Sequence, residues 1–242
     1  MIDGGETLAV RWDRLRQRVV DACHSAGRDP GEVAILPVSK TFGLEEIRAA
    51  VGLGLRRFGE NKVQEIRDKA GPLADCGIDW VMIGHLQTNK TNVVARLASE
   101  VQSLDRPKLA AALDRRLRIE NRVIDVLVQV KTSTEPSKYG LPPEQLLSFL
   151  DELGDYPTMR VRGLMTIALH ANPTDDGVRG CFRRLRELRD LAADHGHQLP
   201  RLSMGMSGDF PIAIAEGATE IRIGTAIFGS RPYPDSYYWP DS

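Results

Sequence analysis

Apolar positions along the chain follow two alternating rhythms. Leu8, Trp12, Leu15, Val19 and Ala22 recur at helical spacing and predict an N-terminal amphipathic helix within residues 1–30. Eight short apolar runs follow: VAILPVSK (33–40), LRRFGEN (55–61), DWVMIGHL (79–86), EVQSLD (100–105), RVIDVLVQVKT (122–132), RVRGLMTI (160–167), PRLSMGM (200–206) and EIRIGTAIFG (220–229). Runs of this kind suit strands covered on both faces, as in a parallel sheet. Helical segments are predicted between them at 44–53, 62–70, 88–98, 107–121, 142–153, 176–193 and 208–216. Pro107 and Pro142 sit where a first-turn proline is tolerated. Gly54 and Gly217 sit just past helix ends, where a left-handed cap is common.

Eight strands alternating with helices predict an α/β fold, a single TIM-type (β/α)8 barrel domain over residues 1–242 with an extra helix at its start. The runner-up is an open, doubly wound sheet. That alternative is favoured by a GxGxxG stretch after the first strand, and the sequence has none there. GLGL at 52–55 precedes a strand and reads as a helix-to-strand turn. The tail at 230–242, rich in proline and aromatics, is either an ordered cover or a loose end.

Composition narrows the function classes. Apolar residues make up 42% of the 242, enough for a substantial core. Lys plus Arg is 32 against 33 for Asp plus Glu, a balance that gives no footprint for nucleic acid or an anionic membrane. The basic run RGCFRRLRELRD (179–190) carries Cys181, Phe182, Leu185, Leu188 and, just beyond it, Leu191 at helical spacing, so it reads as a solvated helix face with a buried stripe. Cys23, Cys76 and Cys181 lie far apart, a pattern of neither a disulfide framework nor a zinc site. No apolar run approaches the ~20 residues of a membrane span, and the N-terminus lacks a signal-peptide pattern. A cytoplasmic monomer is the expectation.

The chemistry collects at the C-terminal ends of the predicted strands, where barrels of this type place their active sites. The first strand delivers Lys40 to its tip, although lysine is almost never fully buried without a partner. A lone lysine there reads as a snorkelling rim residue. Ser207–Gly208 after the seventh strand and Gly224–Thr225 after the eighth offer small residues and open amides, the makings of a phosphate cradle; Ser207 taken alone reads as a helix N-cap. A lysine beside a phosphate cradle suggests pyridoxal 5'-phosphate held as a Schiff base, since burial favours the neutral, nucleophilic amine.

VSKT, RRFGENKVQE, WVMIGHLQTNK, GLMTI and LSMGMSGDFPIAIAEGATEIRIGTAIFG resemble the pyridoxal phosphate homeostasis protein family, itself similar to the barrel domain of alanine racemase. The resemblance runs from about 33 to 231. It implies that Lys40 is the Schiff-base lysine, that Ser207, Gly208, Gly224 and Thr225 bind the phosphate, and that Arg222 faces the pyridine nitrogen. Asn61 then lies near the cofactor and Met204 packs beside it. The sequence departs from the family at Lys62 and Tyr139. His85 reads as a hydrogen-bonded rim residue, His170, His195 and His197 as histidines without metal-ligand spacing, Glu45–Glu46 as acids in a first helical turn, and Asp105–Arg106 as a brace at the end of the fourth strand.

The family implies a carrier without established catalytic activity, whose partners are the cofactor and the apo-forms of enzymes that use it. Two features of the chain agree. A racemase needs acid/base groups on both faces of the substrate carbon, and the domain that supplies the second in alanine racemase has no counterpart here; Tyr139 or Tyr237 are the substitutes to consider. An arginine at the ring nitrogen donates and cannot accept, so the ring is a poor electron sink. The alternative is a small amino-acid racemase or lyase using the same pocket.

Overall fold

A computed structural model describes residues 6–133, 139–168 and 176–229. His170, Tyr237 and the tail at 230–242 lie outside the described residues. Strands β1 Ala34–Pro37, β2 Arg57–Glu60, β3 Asp79–Met82, β4 Ala98–Leu104, β5 Ile124–Gln129, β6 Met159–Met165, β7 Arg201–Ser203 and β8 Glu220–Ile223 each fall inside one of the eight predicted runs or within two residues of it. All pair in parallel, in the order β1-β8-β7-β6-β5-β4-β3-β2. The ring closes between β1 and β2 through the Val38–Gly59 bridge, where the Ser39 amide donates to the Gly59 carbonyl at 3.0 Å. The fold is therefore an eight-stranded parallel barrel.

Around it lie α1 Leu8–Ser25, α2 Leu44–Gly52, α3 Val63–Ala70, α4 Thr91–Leu97, α5 Pro107–Ile119, α6 Leu146–Leu153, α7 Asp176–Asp194, α8 Phe210–Ala215 and α9 Thr225–Phe228. Pro107 opens α5 as expected, and Glu45 and Glu46 lie in the first turn of α2. Pro142 precedes a 3-10 turn, Pro143–Gln145, that leads into α6. Gly54 and Gly217 have φ of 88° and 96°, the left-handed conformation that lets each chain end leave its helix. Two readings need correction. Residues 225–228 turn helical instead of extending β8, because Ile227 and Phe228 donate back to the Gly224 carbonyl. On α7 the buried stripe ends on Ala192, while Leu191 is 43% exposed. At ~3.6 residues per turn, position 192 returns to the face of Cys181 and 191 falls short of it.

The main core lies between strands and helices, with Phe58, Phe182, Phe210 and Ile66 wholly buried in it. Burying each such side chain contributes ~1.5–3 kcal/mol. The barrel lumen is different. One wall is apolar, made by Leu36, Val38, Val81 and Ile83. The rest is polar. At the N-terminal end Arg201 forks onto Glu100 (2.9 and 3.0 Å) and reaches Glu220 (2.9 Å), while Arg57 bridges Glu220 and Glu100 (2.9 and 3.0 Å). Gln102 donates to both carboxylates and accepts from Ser203, carrying the hydrogen bonds upward to Arg222. Burial alone would raise the Glu220 carboxyl and lower Arg201; the opposite charges outweigh it, so Glu220 is held below the usual range and Arg201 above its own.

The basic face of α7 is spoken for within the fold. Arg179, Arg183 and Arg186 converge on Glu216 at the end of α8, at 2.8, 3.5 and 2.8 Å. Burial would raise the Glu216 carboxyl, but the Arg179 hydrogen bond and the charges of Arg186 and Arg183 hold it down. Among the described residues no helix is long and apolar enough to cross a membrane.

Candidate functional site

The first strand ends in a tight turn. The Phe42 amide donates to the Ser39 carbonyl at 3.1 Å, which places Lys40 and Thr41 at the two corners. Thr41 has φ of 70°. A β-branched residue in that region is strained by ~1–3 kcal/mol and persists only where its surroundings over-determine it. Its hydroxyl is buried and finds no hydrogen-bond partner among the described residues. Phe42 is buried and stacks on Phe228 of α9, ring centres 4.8 Å apart. This contact ties the lysine turn to the loop after β8. Lys40 itself is half-buried at the rim.

A buried ionic cluster surrounds the turn. Ser39 donates its hydroxyl to Glu60 Oε1 at 2.6 Å. Lys69, from α3, places its ammonium against Glu60 Oε1 (2.7 Å), Glu65 Oε2 (2.7 Å) and the Ser39 carbonyl (3.0 Å). Glu65 Oε2 also accepts the Thr41 amide at 2.8 Å. Burial pushes the Glu60 carboxyl up to about 7, against the Lys69 ammonium, which pulls it down. Glu65 goes the other way: burial is outweighed by the hydrogen bonds from Lys69 and Thr41, and its carboxyl lies below the usual range. Sequence reasoning passed over Ser39, Glu60, Glu65 and Lys69. The only signal was the four-residue spacing of Glu65 and Lys69, common on any solvated helix.

On β8, the strand next to β1, Arg222 pairs in register with Leu36. Its guanidinium is buried and donates to the Ser203 carbonyl (2.7 Å), the Ser203 hydroxyl (2.8 Å) and the Thr166 carbonyl (2.7 Å). Burial pulls it down to about 10, against the favourable charges of Glu220 and Asp209. It remains a cation at neutral pH.

The loops after β7 and β8 start side by side, joined by the Arg222 amide to the Gly205 carbonyl at 2.9 Å. Among the described residues, the amides of Ser207, Gly208, Gly224, Thr225 and Ala226 donate to no protein group. Ser207 is not the helix N-cap. Asp209 takes that place at α8, and its carboxylate accepts the Met206 amide instead. The turn at 207–209 puts Asp209 immediately before Phe210, the first helical residue, so Ser207 lies two positions too early to cap α8. This leaves the Ser207 hydroxyl available. At Gly224 a side chain would come within 3.3 Å of the Val38 carbonyl, so glycine lets the loop lie close over the end of β1.

Asn61 follows β2 directly and is half-buried. Its carbonyl passes so close to Gly84 that any side chain on Gly84 would overlap it, at 2.1 Å. Met204 follows lumen-facing Ser203, is fully buried and packs in the outer core with the helices, away from the lumen. His85 stacks on Tyr139, ring centres 4.0 Å apart, and its Nδ1 lies 3.6 Å from Asp105. Arg106 pairs with Asp105 and donates to the Leu86 carbonyl at 2.8 Å, bracing the ends of β3 and β4. His195 is tied to the Leu191 carbonyl and His197 to Asp151. No metal-ligating cluster occurs among the described residues.

The arrangement thus joins an amine, a bank of open N–H and hydroxyl donors and a buried cation. Comparison with known proteins bears on it. The family model for the alanine racemase N-terminal domain matches residues 10–232. The pyridoxal phosphate homeostasis protein of Aquifex aeolicus is 43% identical over 224 residues, covering 92% of this chain and 98% of that protein. Its counterpart in Pseudomonas aeruginosa is 42% identical, covering 94% and 97%. PipY of Synechococcus elongatus, solved with PLP bound, superposes with a TM-score of 0.80 at 35% identity, covering 92% of this chain and 100% of that one. The alanine racemase of Streptomyces coelicolor, at 19% identity and a TM-score of 0.71, covering 94% of this chain and 60% of that one, shares the fold. This chain belongs to the pyridoxal phosphate homeostasis protein family, built on the barrel of the alanine racemase N-terminal domain.

Proposed function

We propose that this protein binds pyridoxal 5'-phosphate at the barrel mouth, carries it on Lys40 as a Schiff base, and serves the supply of the cofactor without turning over a substrate of its own. The observation that carries this reading is the meeting of the Lys40 turn with the two loops of open amides, tied together by the Phe42–Phe228 stack. The residues fit the group. Five amides and the hydroxyls of Ser207 and Thr225 suit a phosphate dianion, and an amine at the rim suits an aldehyde. Lys40 would supply the amine that condenses with that aldehyde. The relatives named for this role, and PLP bound in PipY, support the assignment.

Ser207, Gly208, Gly224 and Thr225 hold the phosphate, and Asn61 stands near the ring. Arg222 faces the ring nitrogen. When bound, the cofactor supplies an electrophilic carbon and an electron-withdrawing ring. Arg222 stays charged and has no acceptor capacity, so it disfavours a protonated ring and the electron-sink chemistry that protonation enables. The protein acts in the cytoplasm as a monomer, with apo-forms of PLP-dependent enzymes as recipients. Its free thiols and the scatter of its exposed apolar residues over separate elements support compartment and state.

The second reading, a racemase or lyase, needs an acid/base group opposite Lys40, and the stacked His85–Tyr139 pair at the rim is what keeps it in play. Both readings are separated by incubating the loaded protein with single amino-acid enantiomers in D2O. The carrier reading predicts no change in chirality, no α-deuterium and no keto acid. Racemisation, or deuterium uptake abolished by Tyr139→Phe, establishes the second.

A further inference from the structure

The cluster of Glu60, Glu65 and Lys69 is not among the residues proposed to hold the phosphate or the ring, yet it grips the chain on both sides of Lys40. The carbonyl before the lysine, on Ser39, is held by Lys69, and the amide after it, on Thr41, is held by Glu65. Ser39 is fixed a second time through its hydroxyl to Glu60. The three donors of the Lys69 ammonium meet three acceptors, so nothing in that grip is slack. Between these points stands Thr41, in a left-handed conformation its β-branched side chain disfavours. A turn of lower energy would be open to the sequence if the grip were released, and it would aim Lys40 elsewhere.

We infer that Glu65 and Lys69, supported by Glu60, are positioning residues that lock the strained turn and thereby fix the direction in which Lys40 presents its amine. Helix α3 is the lever: Glu65 and Lys69 stand one turn apart on it, and both reach the β1 turn. The role assigned to the turn rests on Lys40 being the cofactor's anchor; the grip itself does not.

The test has an arm that needs no cofactor. Residue-resolved amide exchange of the cofactor-free protein reports the Thr41 N–H. Protection in the wild type is expected. Glu65→Ala removes the acceptor from a partly exposed side chain and should speed Thr41 exchange roughly tenfold or more, while Val38, bonded to Ile223, keeps its protection. Glu65→Gln should restore the wild-type rate, because one amide oxygen can take the place of Oε2 for both donors. In the second arm, borohydride fixation of pyridoxal, which lacks the phosphate, at Lys40 should fall in Glu65→Ala and Lys69→Met and recover in Glu65→Gln. A Thr41 amide that exchanges freely in the wild type overturns the inference without any variant. So does lost protection in Glu65→Ala with an unchanged yield at Lys40. Fixation at a different lysine, with Thr41 behaving as expected, leaves the grip standing and overturns the cofactor assignment instead.

Discussion

Single residues divide into those that interrupt the sequence pattern and those that do not. Lys40 stands out in the sequence because a cation ends a buried run, and Ser207, Gly224 and Thr225 because small residues crowd two strand ends. In the proposed function the hydroxyls of Ser207 and Thr225 bind the phosphate. Ser207→Ala or Thr225→Ala should weaken binding of pyridoxal 5'-phosphate by ~1.5–3 kcal/mol, roughly ten- to a hundredfold, and leave binding of pyridoxal nearly unchanged. Equal loss for both ligands in equilibrium titrations would show that the two residues shape the loops only. Glu60 was not legible: a glutamate at a strand end looks solvated until α3 closes over it with Lys69. Its carboxyl is raised to about 7 from an ordinary 4.5. The folded state therefore favours its protonated form, a contribution fully present below about 4.5 and lost as the pH rises through 7. Glu60→Gln keeps a neutral group at all pH values. Its stability relative to wild type should rise between pH 5 and pH 8 in denaturant titrations, and parallel curves would contradict the raised carboxyl.

Elements were legible where periodicity ran long and were misread where it was short. The eight strands and α1 follow from runs and stripes, whereas α9, four residues long, was hidden in the apolar continuation of β8. The stripe on α7 was legible too, but the reason for its arginines was not. Only the fold brings Arg179, Arg183 and Arg186 onto Glu216 and so pins α7 to α8, the helix that follows the Ser207 loop. The Glu216 carboxyl is held below its ordinary 4.5, so it stabilises the fold above that value and loses this as the pH falls through the lowered one. Glu216→Gln should destabilise the protein at neutral pH on the order of 1 kcal/mol, since the arginines are partly exposed and screened. The gap should close in acid; a gap that persists there would mean the pin works by packing.

At the scale of the whole molecule the barrel is an apolar ring around a polar axis. Parallel strands are covered on both faces, so alternation could not tell lumen from outer core, and the ladder from Arg57 and Arg201 up to Arg222 was invisible in the sequence. Breaking a buried ion pair leaves an uncompensated charge, and Arg201→Met, which strips partners from Glu100 and Glu220, should cost about 3 kcal/mol in thermal or denaturant unfolding. A neutral outcome would mean that water reaches the lower lumen. The ladder's upper end holds the cation proposed to face the ring, and the lysine turn ends the neighbouring strand. Together these parts are proposed to hold one cofactor on one lysine. Borohydride reduction of the loaded protein followed by peptide mapping tests this most directly. A covalent adduct is expected on the peptide containing Lys40 and should be absent in Lys40→Ala; an adduct on another lysine, or none, rules out Lys40 as the anchor.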